Sequence, residues 1–214
     1  MMKKLFLLLI GLTFLVAATP KEILHNSEQV LQDFLSISEK RIPHKLLQEA
    51  KAIVIVPHMI RGGFIIGGRY GEGILMVRLG SGWSDPVFVK LAGGSLGWQI
   101  GVEAIDAVLV FRTKESVEHL LEGKFTLGAD ASIAAGPVGR AGAAATDVKL
   151  RSEIYSYSRS RGAFVGVALN GAVLEIDYPK TQKFYDARVR DVLSGKVHKN
   201  SSVIHRLKKL LERS

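Results

Sequence analysis

Three stretches of this 214-residue chain have residue types that could do chemistry. Gly93-Gly94-Ser95-Leu96-Gly97 matches G-x-S-x-G, the nucleophile elbow of serine hydrolases. That motif works only when a strand leads into the serine and a helix leaves it, so that the hydroxyl sits exposed on a sharp turn. Here the residues after Gly97 alternate like a strand, and the downstream histidines are His119, His198 and His205. The first falls on a surface helix pattern and the other two near the C-terminus, so a Ser95-dependent hydrolase is the weakest functional reading. Gly62–Gly73 is glycine-rich but lacks the Gly-Lys-Ser/Thr ending that sets a lysine on a phosphate, and reads as structural turns.

Asp106 is the third. Trp98, Ile100, Val102 and Ala104 share one parity of a strand, and continuing it puts Asp106 on the same dry face. A bulge near Ile105 could turn it outward. Otherwise it needs a partner such as Arg69, Arg78, Arg112 or Arg140, because an unpaired buried charge is too costly. A structural ion pair is preferred to catalysis. The remaining acids show no paired spacing, the six histidines are scattered without H-x-x-x-H, and there is no cysteine. Neither a catalytic site nor a metal or other cofactor is expected.

The elements that must position these residues centre on Leu91–Phe111, LAGGSLGWQIGVEAIDAVLVF, with glycines at 93, 94, 97 and 101. It reads as a central pair of strands, Gly93, Gly94, Gly97 and Trp98 being structural. Before it come a helix over Lys21–Ser36, a short helix after Pro43, and a buried strand, Ala52–Pro57, closed by Pro57. Phe64–Gly68 and Ile74–Arg78 read as two strands reversed by RYGEG. After it, Thr113 caps a helix that stops at Gly123. Leu127–Asp147 has 12 Gly or Ala among 21 residues, for close packing or for an acyl-chain cavity, packing being favoured. Ala163–Leu169 and Ala172–Tyr178 read as a hairpin about Asn170-Gly171. The fold class is therefore α+β: one domain with a mostly antiparallel, strongly bent or barrel-like sheet and flanking helices.

Met1–Lys4 is basic, Leu5–Val16 apolar, and Val16-Ala17-Ala18 small, the pattern of a cleavable secretory signal over residues 1–18; an uncleaved anchor is the alternative. Export places the protein in a periplasm or envelope, with no cysteine for lipid attachment. Beyond the signal the chain has 27 basic and 20 acidic residues, and residues 188–214 alone hold eight basic and two acidic. Residues 19–187 are thus nearly neutral, and the positive charge belongs to a tail. Its final helix carries Val203, Ile204, Leu207, Leu210 and Leu211 on one side and Arg206, Lys208, Lys209 and Arg213 on the other. The apolar side either docks on the domain or enters lipid head groups, and the polar linker before it favours lipid. The residues expected to bind a membrane are Lys199, Arg206, Leu207, Lys208, Lys209, Leu210 and Arg213. An anionic phospholipid surface is the expected partner, an envelope protein the alternative, and nucleic acid is not expected.

Five blocks in order resemble the SYLF-domain family: AKAIVIVP, GGRYGEGILMVR, GSGWSDPVFVKLAGGSLGWQIGVEAIDAVLVF, FTLGADASIAAGPVGR and YSYSRSRGAFVGVALNGAVLEID. They cover Lys51 to Tyr185. The resemblance implies a β-rich single domain with flanking helices and no known catalytic activity. It also implies phosphoinositide binding in eukaryotic members, actin binding in fungal ones, and phospholipid-binding envelope proteins in bacteria. Many bacterial members begin with a lipidated cysteine, and this chain departs from that pattern.

Overall fold

A computed structural model describes residues 18–36, 42–63, 66–80, 82–96, 101–136, 152–160, 163–164 and 169–213. The expected signal, Gly97, Trp98, Arg140 and most of the Gly/Ala-rich stretch lie outside the described residues. The helices are α1 (Pro20–Ser36), α2 (His44–Glu49), α3 (Lys114–Glu122), α4 (Tyr178–Tyr185), α5 (Val189–Leu193) and α6 (Ser202–Glu212). The strands are β1 (Ala52–Gly63), β2 (Ile66–Leu79), β3 (Gly82–Trp83), β4 (Val87–Leu96), β5 (Gly101–Phe111), β6 (Phe125–Thr126), β7 (Ile133–Ala135), β8 (Ile154–Ser160), β9 (Ala163–Phe164) and β10 (Val173–Ile176). They form one domain around a strongly curled, half-barrel sheet ordered β6-β10-β4-β2-β1-β5-β8-β7, with β3 on β2 and β9 on β8. Only the short β7–β8 pairing is parallel among these strand pairs.

The centre of the sheet is the most apolar sequence. Ala52–Val56 and Ala107–Phe111 are completely buried on both parities, which suits strands covered on both faces. β4 and β5 do not pair, contrary to the sequence reading. The β1–β2 hairpin lies between them, because β1 and β2 each find a registered partner on their outer side. β1 also runs through Pro57. Two residues, Pro57 and His58, stand opposite the single Asp106, a bulge that puts His58 at φ +49°. The Asp106 carboxylate accepts the His58 N–H at 3.0 Å and so holds the bulge.

RYGEG is not a reversal. It is the middle of one long strand, β2, and its glycines serve close approach. A Cβ on Gly73 would lie 2.1 Å from the Ile55 carbonyl oxygen, and one on Gly71 2.5 Å from Val56. Asn170-Gly171 does make a turn, closed by the Ala172 N–H on the Leu169 carbonyl at 3.0 Å. Only Gly171 has positive φ, as a type II turn requires, and the flanking β9 and β10 pair with β8 and with β4 and β6 rather than with each other.

α1 buries Ile23, Leu24, Val30, Leu31 and Phe34 against β1, β2 and α6. Its first turn is a capping box: Thr19 Oγ1 accepts the Glu22 N–H at 3.3 Å, and Glu22 accepts the Thr19 N–H at 2.8 Å. Thr113 caps α3 through the Ser116 N–H, and Gly123 ends it. None of the described helices is long and apolar enough to cross a membrane.

Candidate functional site

The basic C-terminal segment is built onto the body. In α6, Ile204, Leu207 and Leu211 recur at helical spacing, and that stripe is buried against α1 and β3, Leu207 completely. Val189, Val192 and Leu193 of α5 join the same core. This corrects the expectation of an apolar face presented to lipid: Leu207 is inside the domain and Leu210 is half-buried. The separate tail is likewise a packed part of the domain.

Two carboxylates hold the segment down. Asp85, 1% exposed in the loop before β4, accepts Lys208 Nζ at 2.5 Å and the Lys199 N–H at 2.8 Å, with His198 Nδ1 at 3.1 Å. Burial pushes the Asp85 carboxyl up, but those three partners outweigh it and hold the group below the usual carboxylate range. Glu28 of α1 takes Arg206 through both oxygens, one contact to Nε and one of 2.9 Å to Nη2. Lys199 Nζ reaches the Phe184 carbonyl at 2.5 Å and lies 4.4 Å from that ring's centroid. Of the expected membrane-binding cations, Lys199, Arg206 and Lys208 are therefore engaged by the protein.

Lys209 and Arg213 are exposed and take no ion pair among the described residues. Arg188, Arg190 and Lys196 join them as exposed cations. With Tyr178 and Gln182 these three line an open groove of about 500 Å³, in which Asp191 meets Arg188 at 2.9 Å. The sequence showed the charge of this segment but not the acids that answer it. Asp85 stands in an ordinary Gly/Ser/Pro loop, and Glu28 on a helix face with other polar residues.

Ser95 lies within β4, paired with Gly67, and the next described element is another strand, so the backbone there is no strand-to-helix elbow. Asp106 meets Arg159 Nη2 at 3.0 Å, and the same atom meets Asp33 of α1 at 2.7 Å. Arg159 was not among the expected partners. Arg78 is occupied by the Ala50 and Leu47 carbonyls, and Arg112 by Glu49. Gly93 has a packing role, since a Cβ there would lie 2.9 Å from Ala172, whereas Gly94 faces open space. No group of three potential metal ligands occurs among the described residues.

The far end of the sheet carries a face the sequence reading took to be dry. Val102 is 74% exposed, and Ala104, Ile60, Tyr70 and Ala92 form one cross-strand row, all exposed. The parity was read correctly and the covering was not.

Comparison with known proteins identifies the family. The family model described as "Ysc84: Las17-binding protein actin regulator" matches residues 92–214. Protein YSC84 of Saccharomyces cerevisiae is 34% identical over 166 residues, 75% of this chain and 35% of that protein. LAS seventeen-binding protein 3 of the same yeast is 32% identical over an equal length. The human SH3 domain-containing YSC84-like protein 1 is 34% identical over 176 residues, 78% of this chain and 51% of its own length. The chain thus spans between a third and a half of the relatives it matches, and it belongs to the Ysc84 (SYLF-domain) family.

Proposed function

We propose that this chain is a non-enzymatic protein, exported through Met1–Ala18, that associates with anionic phospholipid surfaces. The observation that carries this is the concentration of exposed cations on the C-terminal segment. Arg188, Arg190, Lys196, Lys209 and Arg213 project from it, beside a remainder that is nearly neutral. A cation near an anionic bilayer contributes about 1 kcal/mol, so five acting together are enough for reversible attachment. Lipid insertion of the α6 leucines is not part of this mechanism, because Leu207 and Leu211 are occupied in the core and Leu210 is packed against it. Attraction is electrostatic and the segment stays folded on the body.

Co-sedimentation with phosphatidylglycerol vesicles tests the reading. Binding should weaken steeply between low salt and about 0.5 M, where screening is nearly complete over a few ångströms. It should be lost when Lys196, Lys209 and Arg213 are changed together to Glu. Binding that ignores both would dismiss the mechanism. N-terminal sequencing of the secreted protein checks the export step.

A second reading has the same cations meeting an acidic protein. The description of the family model, Las17-binding protein, and the name of one yeast relative, LAS seventeen-binding protein 3, favour a protein partner. Capture of a partner from an envelope extract that persists in detergent would support it over lipid.

A further inference from the structure

Ala18 stands just ahead of α1, and side chains from two distant elements hold both of its main-chain polar groups. Its N–H donates to the Glu72 carboxylate of β2 at 3.1 Å, and its carbonyl accepts Lys180 Nζ of α4 at 3.2 Å. The two side chains also meet each other at 2.8 Å, and the Tyr70 hydroxyl donates to Glu72 at 3.3 Å. The Glu72 side chain is 9% exposed and that of Lys180 16%. Ala18 itself packs against the core. Contacts spanning 54 and 162 residues thus converge on one small residue. Were Ala18 removed with the export signal, Glu72 would lose a donor and Lys180 an acceptor in a largely shielded place.

Charge in the same place is one cation short. Glu72, Lys90 and the exposed Glu175 are registered partners across β2, β4 and β10, so they share one face of the sheet. Lys90 meets Asp177 at 2.9 Å, as Lys180 meets Glu72. The row and its partners therefore hold three carboxylates, Glu72, Glu175 and Asp177, and two lysines. A positive charge on the Ala18 nitrogen would balance them. Hydrolysis of the Ala17–Ala18 amide creates one. The water oxygen joins the Ala17 carbonyl carbon as the C–N bond breaks, and both water protons end on the Ala18 nitrogen. Ala17 departs as a carboxylate and Ala18 begins the chain as an ammonium, charged at neutral pH because an α-amine has a pKa of about 8.

We infer that Glu72 is the seat of a new N-terminus: an export peptidase cuts between Ala17 and Ala18, and the freed ammonium pairs with this carboxylate as the domain folds. The inference rests on the export reading above and moves its boundary by one residue, Ala18 staying with the domain. An alanine precedes either bond, so the sequence pattern accommodates both cuts. Cleavage after Ala18 would put the ammonium on Thr19 instead, whose N–H already meets Glu22 in the capping box at 2.8 Å. The Ala18 seat ties the start of α1 to β2 and α4, and α1 in turn carries Glu28, which receives Arg206 of α6. On processing, a neutral N–H donor becomes a charged one at the same carboxylate, so removal of the signal strengthens the domain it leaves behind.

The full precursor is expressed in an exporting host, and the intact mass of the secreted protein is measured. It should correspond to residues 18–214. The folded protein is then treated with limiting acetic anhydride at about pH 7, where lysines are almost fully charged, and the Ala18 amine is followed by peptide mapping. That amine should acetylate about tenfold or more slowly in wild type than in Glu72→Gln, because it must first leave a charge-assisted bond. Gln keeps the shape and an acceptor oxygen but not the charge. Lys180→Gln should keep the protection, since Glu72 remains. If Glu72→Gln does not fold, the wild type in urea serves as the reactive reference, with the same ratio expected. A secreted protein that begins at Thr19 would overturn the seat and leave the export reading intact. One that retains residues 1–17 would overturn the seat and the cleavage of the signal together. A chain that begins at Ala18 but acetylates equally fast in wild type and in the reactive reference would overturn the seat alone.

Discussion

The C-terminal segment and the open end of the sheet treat positive charge in opposite ways. In the first, Lys208 and Arg206 end on the carboxylates of Asp85 and Glu28, and those contacts fasten a helix whose Leu207 and Leu211 are already buried. In the second, Arg61 and Arg69 face each other, and the nearest registered acid is turned to a serine. A count of basic residues points to the first region and passes over the second. The difference teaches that a count of basic residues does not tell which cations the fold itself engages.

If α6 is held first by its apolar stripe, removing that stripe should have the largest effect. Leu207→Ala should cost about 2–5 kcal/mol, the range for a buried leucine that leaves a cavity, seen as a lower midpoint in urea. A loss below about 1 kcal/mol would mean that the helix does not depend on burial.

The carboxylate hub should come next. Asp85→Asn should cost about 3 kcal/mol, in the range for breaking a buried ionic contact and stranding its partner. Because the folded-state pKa of Asp85 is depressed, its contribution is fully present above the unfolded carboxylate range near 4, and is lost as pH falls through the lower folded value. The wild type should therefore lose stability below about pH 4. Asp85→Asn should lose less over the same interval; equal losses would remove Asp85 from the acid response.

A smaller effect is expected at the β1 bulge. Asp106→Asn keeps an acceptor for the His58 N–H but loses the charge facing Arg159, which should cost about 1–2 kcal/mol. Arg159 retains Asp33, so a much larger loss would show that the bulge depends on the charge itself.

The smallest stability effect belongs to the outward cations. Lys209→Glu with Arg213→Glu should change stability by less than about 0.5 kcal/mol while weakening vesicle binding. A variant that unfolds would mean these side chains hold the segment as Lys208 does.

Periodicity made α1, the Thr113-capped α3 and the stripe of α6 legible, because each is a local pattern. α4 was legible too and was missed: Asp177 caps it through the Lys180 N–H, with Pro179 in its first turn, the ordinary signature of a helix start. The long strand β2 was obscured because Gly71 and Gly73 look like turn residues, and the contacts that require them lie on β1, far away in sequence. The insertion of β1 and β2 between β4 and β5 is a matter of long-range pairing, to which adjacent residues carry no clue. The same holds for Asp85, 113 residues from His198 and 123 from Lys208. Parity placed Val102 and Ala104 on one face correctly. Only the tertiary arrangement shows that this face is left uncovered.

Hydrogen exchange of the amides in 202–212, measured on protein bound to phosphatidylglycerol vesicles and on free protein, tests the account most directly. The account predicts bound protein in which these amides keep the protection of the free state, since α6 meets lipid while seated on the body. Binding accompanied by loss of that protection, with α6 leaving its site to insert its leucines, would contradict it.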